Sequence, residues 1–428
     1  MKKIARILVI LLTVFLVAIP VFAGGTKEQP ATSKKVKIVI WEWISTQGSG
    51  PAYQKVLQSY RESHPNIKVV SISDPWNQAH NKVLLMHQAH KMPDIIGVNR
   101  NWLMEFVSMG ILEDLTPYVN TVPGMKDKYY DAVKGTLNGK VYILPYAGGD
   151  AALIYNTEVF KNAGLTPPKT LDEFVAVGKK LSDPTNNKYG TQWCMSEKNV
   201  AGANVCNFGP ILTSFGGTYV RNKKAAFNDP DGVAAMEWMI KLEKEGIAAP
   251  GGTTVDAKSM REAFASGRVF MTFDGAWGVP FYNKFPNLKW NVTRMPKGKE
   301  IGTVVNIMCW GIPKESKHKK EAWDLLKYIE SDKMLLQYFR EGHVMPCTKK
   351  IGSMPEFQKK YKGFLDTYAQ TTNFFQTGSV PQETELYRLI VDAYQKAFNG
   401  EMSVKAALDQ AANKYNKIID EFYKKHNK

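Results

Sequence analysis

From residue 36 onward, short β-branched runs alternate with amphipathic stretches. Val36 to Trp41 is apolar or β-branched at most positions and carries no helix-start signal, which predicts a buried strand. Tyr53 to His64 has helical spacing and is stopped by Pro65. Asn66 to Val70 predicts a second strand, Asn81 to His90 a second helix, and Pro93 to Val98 a third strand. Strand, helix, strand, helix, strand is the pattern of a parallel, doubly wound α/β sheet. In such sheets ligands gather beyond the carboxyl ends of the strands. That rule puts Glu42, Trp43 and Ser45, then Asp74 to Gln78, then Asn99 to Trp102 on one rim. Trp43, Trp76 and Trp102, from a total of ten tryptophans, fall there.

Further along, Gly139 to Tyr146 is extended and Ala151 to Asn156 resumes the strand after Gly148-Gly149-Asp150. A Gly-Gly pair between two such halves predicts a hinge crossing rather than a hairpin. Thr170, with Glu173 three residues on, caps a helix from Leu171 to Leu181. Val269 to Phe273 predicts a strand that ends in Asp274-Gly275-Ala276-Trp277, and Thr303 to Ile312 a strand carrying Asn306, Cys309 and Trp310. A helix is expected over Lys319 to Ile329. The remainder from Ser331 is mostly helical and closes with an amphipathic helix from Ala406 to Tyr423.

The ends and the composition narrow the setting. Lys2, Lys3 and Arg6 precede an apolar run that stops at Pro20, followed by small residues up to Ala23, the parts of a cleaved secretory signal peptide over residues 1–23. Residues 24–35 form a polar leader. Cys194 is the first cysteine, so no lipid anchor follows the signal peptide, and the periplasm is the expected location. The formal charge is +16, with 56 Lys and Arg against 40 Asp and Glu. The lysines are dispersed, as in Lys241-Leu242-Glu243-Lys244-Glu245, and no nucleic-acid motif accompanies them, so no nucleic-acid partner is expected. The four cysteines permit disulfides in an oxidising compartment, with Cys194–Cys206 the preferred local pair, and the sequence leaves both this pair and Cys309–Cys347 open. No metal-ligand spacing is present, and no metal or cofactor is expected.

Several short strings stand collinear along the chain. They are Gly110 to Tyr118, Gly139 to Tyr146, Leu153 to Asn156, Ala163-Gly164-Leu165 and Pro167 to Thr170. Phe227-Asn228-Asp229-Pro230, Asp274 to Trp277, Trp310 to Pro313 and Ala406-Ala407-Leu408 complete the set. In this order the sequence resembles the extracellular solute-binding proteins of ABC importers, family 1, the maltose-binding-protein-like class. The resemblance implies a two-lobed periplasmic-binding-protein fold of type II, with doubly wound sheets joined by hinge strands and the ligand in the interlobe cleft. It implies discontinuous lobes, about 36–146 with 278–330 and 147–277 with 331–428, and crossings near Tyr146–Asp150 and Gly302–Asn306. It further implies a sugar-like ligand, delivery to permease subunits by lobe closure, and action as a monomer.

A pyranose offers an apolar face for aromatic rings and hydroxyls for carboxylates and amides. The resemblance puts a stacking aromatic at Trp277 and a second one at Tyr387, where relatives have Trp. It departs at Asn101 and Trp102, where the maltose-binding relative has charged groups, which speaks against maltodextrin itself. Strand-end position favours Glu42, Trp43, Trp76, Asp150 and Asp274, then Asn99, Asn101 and Asn306. Trp102 and Trp310 stand evenly between site and core, Trp193, Trp238, Trp290 and Trp323 lean towards core, and His343 lies in a loop near the cleft. Two alternatives stay open: a receptor for a polyol, uronate or other anion, and a secreted glycosidase using Asp150 and Asp274 as its carboxylate pair.

Overall fold

The structure, a computed structural model, describes residues 35–130 and 134–426; the expected signal peptide and most of the leader lie outside them. The chain runs β1 (Val36–Glu42), α1 (Gly50–Ser63), β2 (Ile67–Ser73), α2 (Trp76–Gln88) and β3 (Ile95–Asn99). β1 lies between β2 and β3 and is parallel to both, in register from Val36 opposite Ile67 to Glu42 opposite Ser73. Every residue of β3 is buried, as expected of a central strand, here parallel to β1 and antiparallel to the strand on its other side. α1 carries Pro51 in its first turn and buries Tyr53, Val56, Leu57 and Tyr60, one stripe at helical spacing, and ends before Pro65. α2 starts at Trp76, earlier than the periodicity predicts. Pro75 fixes an extended entry and Trp76 packs its ring against Trp102, an anchor no local pattern reveals.

β4 (Ile143–Asn156) is one continuous strand of 14 residues rather than two pieces. After it come α3 (Leu171–Leu181), α4 (Pro230–Lys244), α5 (Ala257–Ala265), β5 (Met271–Gly275), β6 (Trp290–Thr293) and β7 (Gly302–Gly311). Thr170 Oγ1 accepts from the Glu173 amide at 3.1 Å, the cap the sequence predicts. β4 and β7 pair antiparallel from Gly311–Ile143 to Val305–Asp150 and carry one continuous eight-stranded sheet through both lobes, in the order β5-β4-β7-β3-β1-β2. The glycines at the crossing are needed for close approach. A Cβ on Gly148 would stand 3.1 Å from Ile307, and one on Gly149 would stand 3.0 Å from the Ala276 Cβ.

The chain closes with α6 (Lys319–Ile329), α7 (Asp332–Gly342), α8 (Pro355–Gln370), β8 (Asn373–Gln376), α9 (Glu383–Phe398) and α10 (Val404–His426). Two main cores result. One gathers Ile38, Ile40, Leu57, Val98 and Trp310; the other gathers Phe174, Trp193, Met236, Phe273 and Tyr394. The two cores depart from the expected lobe boundaries chiefly in one segment. Residues 331–365 do not join the second lobe, because Leu335, Phe339, Phe357 and Phe364 pack into the first core. Val279, Tyr282 and Val292 pack into the first core as expected, while β6 pairs with Leu153 to Asn156 and Tyr282 donates to Asp274 at the end of β5. All four cysteines are buried free thiols, so neither of the pairings the sequence left open is formed.

Candidate functional site

A cavity of about 350 Å³ opens where the two lobes face each other across β4 and β7. The first lobe contributes Gln47 to Ser49 from the turn after β1, Trp76 at the start of α2, Asn99 at the end of β3, and Tyr338 of α7. α7 ends at His343 in the left-handed conformation (φ 52°), and this turn brings His343, Val344 and Met345 onto the wall. The hinge strands supply Gly148, Asn306 and Met308. The rest of the wall includes Trp277, Phe281 and Lys284 beyond β5, Arg261 of α5, and Val205 and Cys206 from a π-helical turn over Ala203–Phe208.

Four residues predicted from the sequence line this cavity: Trp76, Asn99, Trp277 and Asn306. Trp277 is half-buried. A Cβ at Gly275 would fall 2.2 Å from its ring, so the glycine gives the indole its bed on one side. Asn99 is 1% exposed; its Oδ1 accepts from the Asn101 amide at 3.1 Å, while its Nδ2 has no protein partner. A buried amide N–H₂ facing a cavity is a donor suited to a ligand oxygen.

The other eight lie behind the wall. Trp43 is fully buried, edge-on to Trp76 and Trp102 at 5.2 and 5.5 Å, and Trp102 is stacked behind Trp76 at 5.5 Å. The predicted tryptophan rim is therefore a packed box that shows only Trp76 to the cavity. Glu42 is fully buried and its carboxylate accepts from the Ser45 amide and the Ser45, Ser71 and Ser73 hydroxyls, which ties the ends of β1 and β2 together. Asn101 is buried beneath the same rim. Trp310 stands between Tyr53 and Tyr146, with ring centroids at 5.5 and 4.6 Å, inside the first core. Tyr387 is buried in the second core and donates to Glu383 at 2.6 Å. Asp150 is fully buried in β4, and burial pushes its carboxyl well above the usual carboxylate range.

Asp274 has a structural task of its own. Arg261 donates to it twice, from Nε at 2.6 Å and Nη2 at 2.8 Å, Tyr282 donates at 2.8 Å, and the Gly275 amide at 2.8 Å. Asp274 has no exposed surface, whereas the Arg261 side chain keeps 17% of its own. Burial alone would favour the neutral guanidine, but the Asp274 charge outweighs it and holds Arg261 firmly protonated. Sequence reading misses Arg261 and Lys284. Nothing local marks a helical arginine whose partner lies on a strand thirteen residues on. On the opposite wall, burial and the neighbouring Lys360, 2.9 Å away, lower His343 from its ordinary value and favour the neutral ring.

Two α/β lobes, a paired-strand hinge and one cavity touched by both lobes define a receptor that closes on a small solute. The chain belongs to the bacterial extracellular solute-binding proteins, whose family profile matches residues 43–334. It is similar to a putative binding protein of Brucella abortus, 24% identical over 406 residues that cover 91% of this chain and 94% of that one. It is also similar to the galactooligosaccharide-binding protein of Bacillus subtilis, 22% identical over 414 residues, 92% of this chain and 93% of the relative. In fold it matches an ABC transporter solute-binding protein of Thermotoga lettingae crystallised with α-D-tagatose. The TM-score is 0.80 and the identity 23%, over 90% of this chain and all (100%) of the other. Among the described residues no helix is long and apolar enough to cross a membrane.

Proposed function

We propose that this protein is the carbohydrate-binding component of an ABC importer, working as a monomer in the periplasm and delivering its ligand to the permease by lobe closure. The observation that carries the reading is the pairing, in one cleft, of half-buried Trp76 and Trp277 with the amides of Asn99 and Asn306. Indole faces suit the C–H face of a pyranose, and amides suit its hydroxyls. Closure follows thermodynamically because a ligand touching both lobes binds the closed state better. The ligands of the Bacillus subtilis and Thermotoga lettingae relatives, a galactooligosaccharide and a ketohexose by their names, support a sugar here.

Binding without hydrolysis is favoured by the fate of the carboxylates. Asp150 and Asp274 are both fully buried, and among the described residues no Asp or Glu lines the cavity. A glycosidase needs two carboxyl groups reaching its scissile bond. The test is a thermal-shift and tryptophan-fluorescence screen of mono- and oligosaccharides, polyols and amino acids. At a hundred times its Kd a specific ligand adds about 2.7 kcal/mol of stability. A panel in which only amino acids raise the melting temperature refutes the carbohydrate reading, and release of product from a glycan refutes the binding-only reading.

A further inference from the structure

We infer that the ligand is an acidic carbohydrate whose carboxylate or phosphate group seats on the Arg261–Lys284 side of the cleft. This rests on the carbohydrate reading above and narrows it. Among the described residues the cavity wall holds two cationic side chains, Arg261, which is paired with Asp274 behind the wall, and Lys284, and no acidic side chain. A neutral sugar hydroxyl both donates and accepts, and carboxylates are the strong acceptors for it. A wall of amides, indoles and cations offers donors in excess, which matches a ligand rich in acceptors.

Arg261 is built to receive an anion rather than left over on the surface. Asp274 takes Nε and one Nη2 proton, which leaves three of the five guanidinium N–H groups for another acceptor. Asp274 itself is closed off by Arg261, Tyr282 and the Gly275 amide and has no exposed surface, so an incoming anion meets the guanidinium first while the carboxylate charge behind it offsets part of the attraction. The ion pair is formally neutral, yet only its positive end reaches the cleft. The paired grip fixes the guanidinium plane before the ligand arrives, so little side-chain entropy is lost on binding. Lys284 is exposed at the mouth and forms no ion pair among the described residues, so its charge is uncompensated there. Together they set a planar fork at the wall and a mobile ammonium at the entrance.

The experiment is calorimetric titration of the full exported chain with D-galacturonate, a galacturonate disaccharide and glucose 6-phosphate, each beside its neutral twin. An acidic member is expected to bind at least about tenfold tighter than its twin, the lower bound for a charge-assisted hydrogen bond. Whether carboxylate or phosphate gains more identifies the group. Arg261→Gln strips Asp274 of its counter-ion and risks the fold, so Lys284→Gln, at an exposed position, provides the second readout. Either variant should shrink the acid-over-neutral ratio while changing neutral-sugar affinity less. A neutral sugar that binds as tightly as its acidic twin overturns the inference and leaves the carbohydrate reading standing. Failure of every sugar, acidic and neutral, overturns both.

Discussion

Asp274→Asn separates a ligand-contacting carboxylate from one that holds an arginine in place. The amide keeps the shape but has one acceptor oxygen, so it keeps the bond from the Gly275 amide or that from Tyr282, which fall on different carboxylate oxygens, and the change removes the charge together with one acceptor. What is lost is a two-pronged ion pair at 2.6 and 2.8 Å in which Asp274 is wholly buried and Arg261 only 17% exposed. Breaking a buried pair by removing one partner costs roughly 3–5 kcal/mol, because the remaining charge is stranded. The small exposure of Arg261 lets some water reach it, so about 3 kcal/mol is expected. Urea unfolding followed by far-UV circular dichroism at pH 7 measures the loss. The double variant Asp274→Asn/Arg261→Gln leaves no stranded charge and should recover about half of the loss or more. A single variant within about 1 kcal/mol of the parent protein, or a double variant less stable than the single one, refutes the assignment of Asp274 to Arg261.

Trp277→Ala should weaken sugar binding about thirtyfold with the fold intact: covering one indole face buries roughly 80 Å², about 2 kcal/mol. An unchanged Kd in calorimetry would remove Trp277 from the binding face. Glu383 is buried beside Tyr387, Tyr219, Tyr415 and the more distant Arg100 guanidinium, and burial pushes it up from 4.5 to about 8. Its contribution is therefore fully present below pH 4.5 and is lost as pH rises towards 8, so Glu383→Gln should flatten the fall in stability across that window; parallel pH curves for variant and parent refute this. Thiol titration with Ellman's reagent in non-reducing urea should count four free cysteines, and a count of two would place a disulfide among them.

The elements that the sequence by itself determined are those governed by neighbouring residues. β1 and β3 follow from apolar runs too rich in β-branched side chains for a helix, α1 ends because Pro65 cannot continue it, and Thr170 caps α3 with its own hydroxyl. Strand order put Trp76 and Asn99 on one rim, the family resemblance added Trp277, and Asn306 came from a predicted strand; all four line the cavity. Only the tertiary structure decided which rim side chains face the cleft. Trp43, Trp76 and Trp102 look equivalent along the chain, yet their mutual packing leaves one of them on the wall. Glu42 is held by hydroxyls from a neighbouring strand, and Tyr387 turns inward to a buried glutamate. Lobe membership of residues 331–365 depends on which core their apolar stripe meets. Arg261 matters because a strand end brings Asp274 to it. Propensity and capping act over a turn or a strand; side-chain direction and charge pairing depend on partners from distant segments, and only the folded chain supplies those.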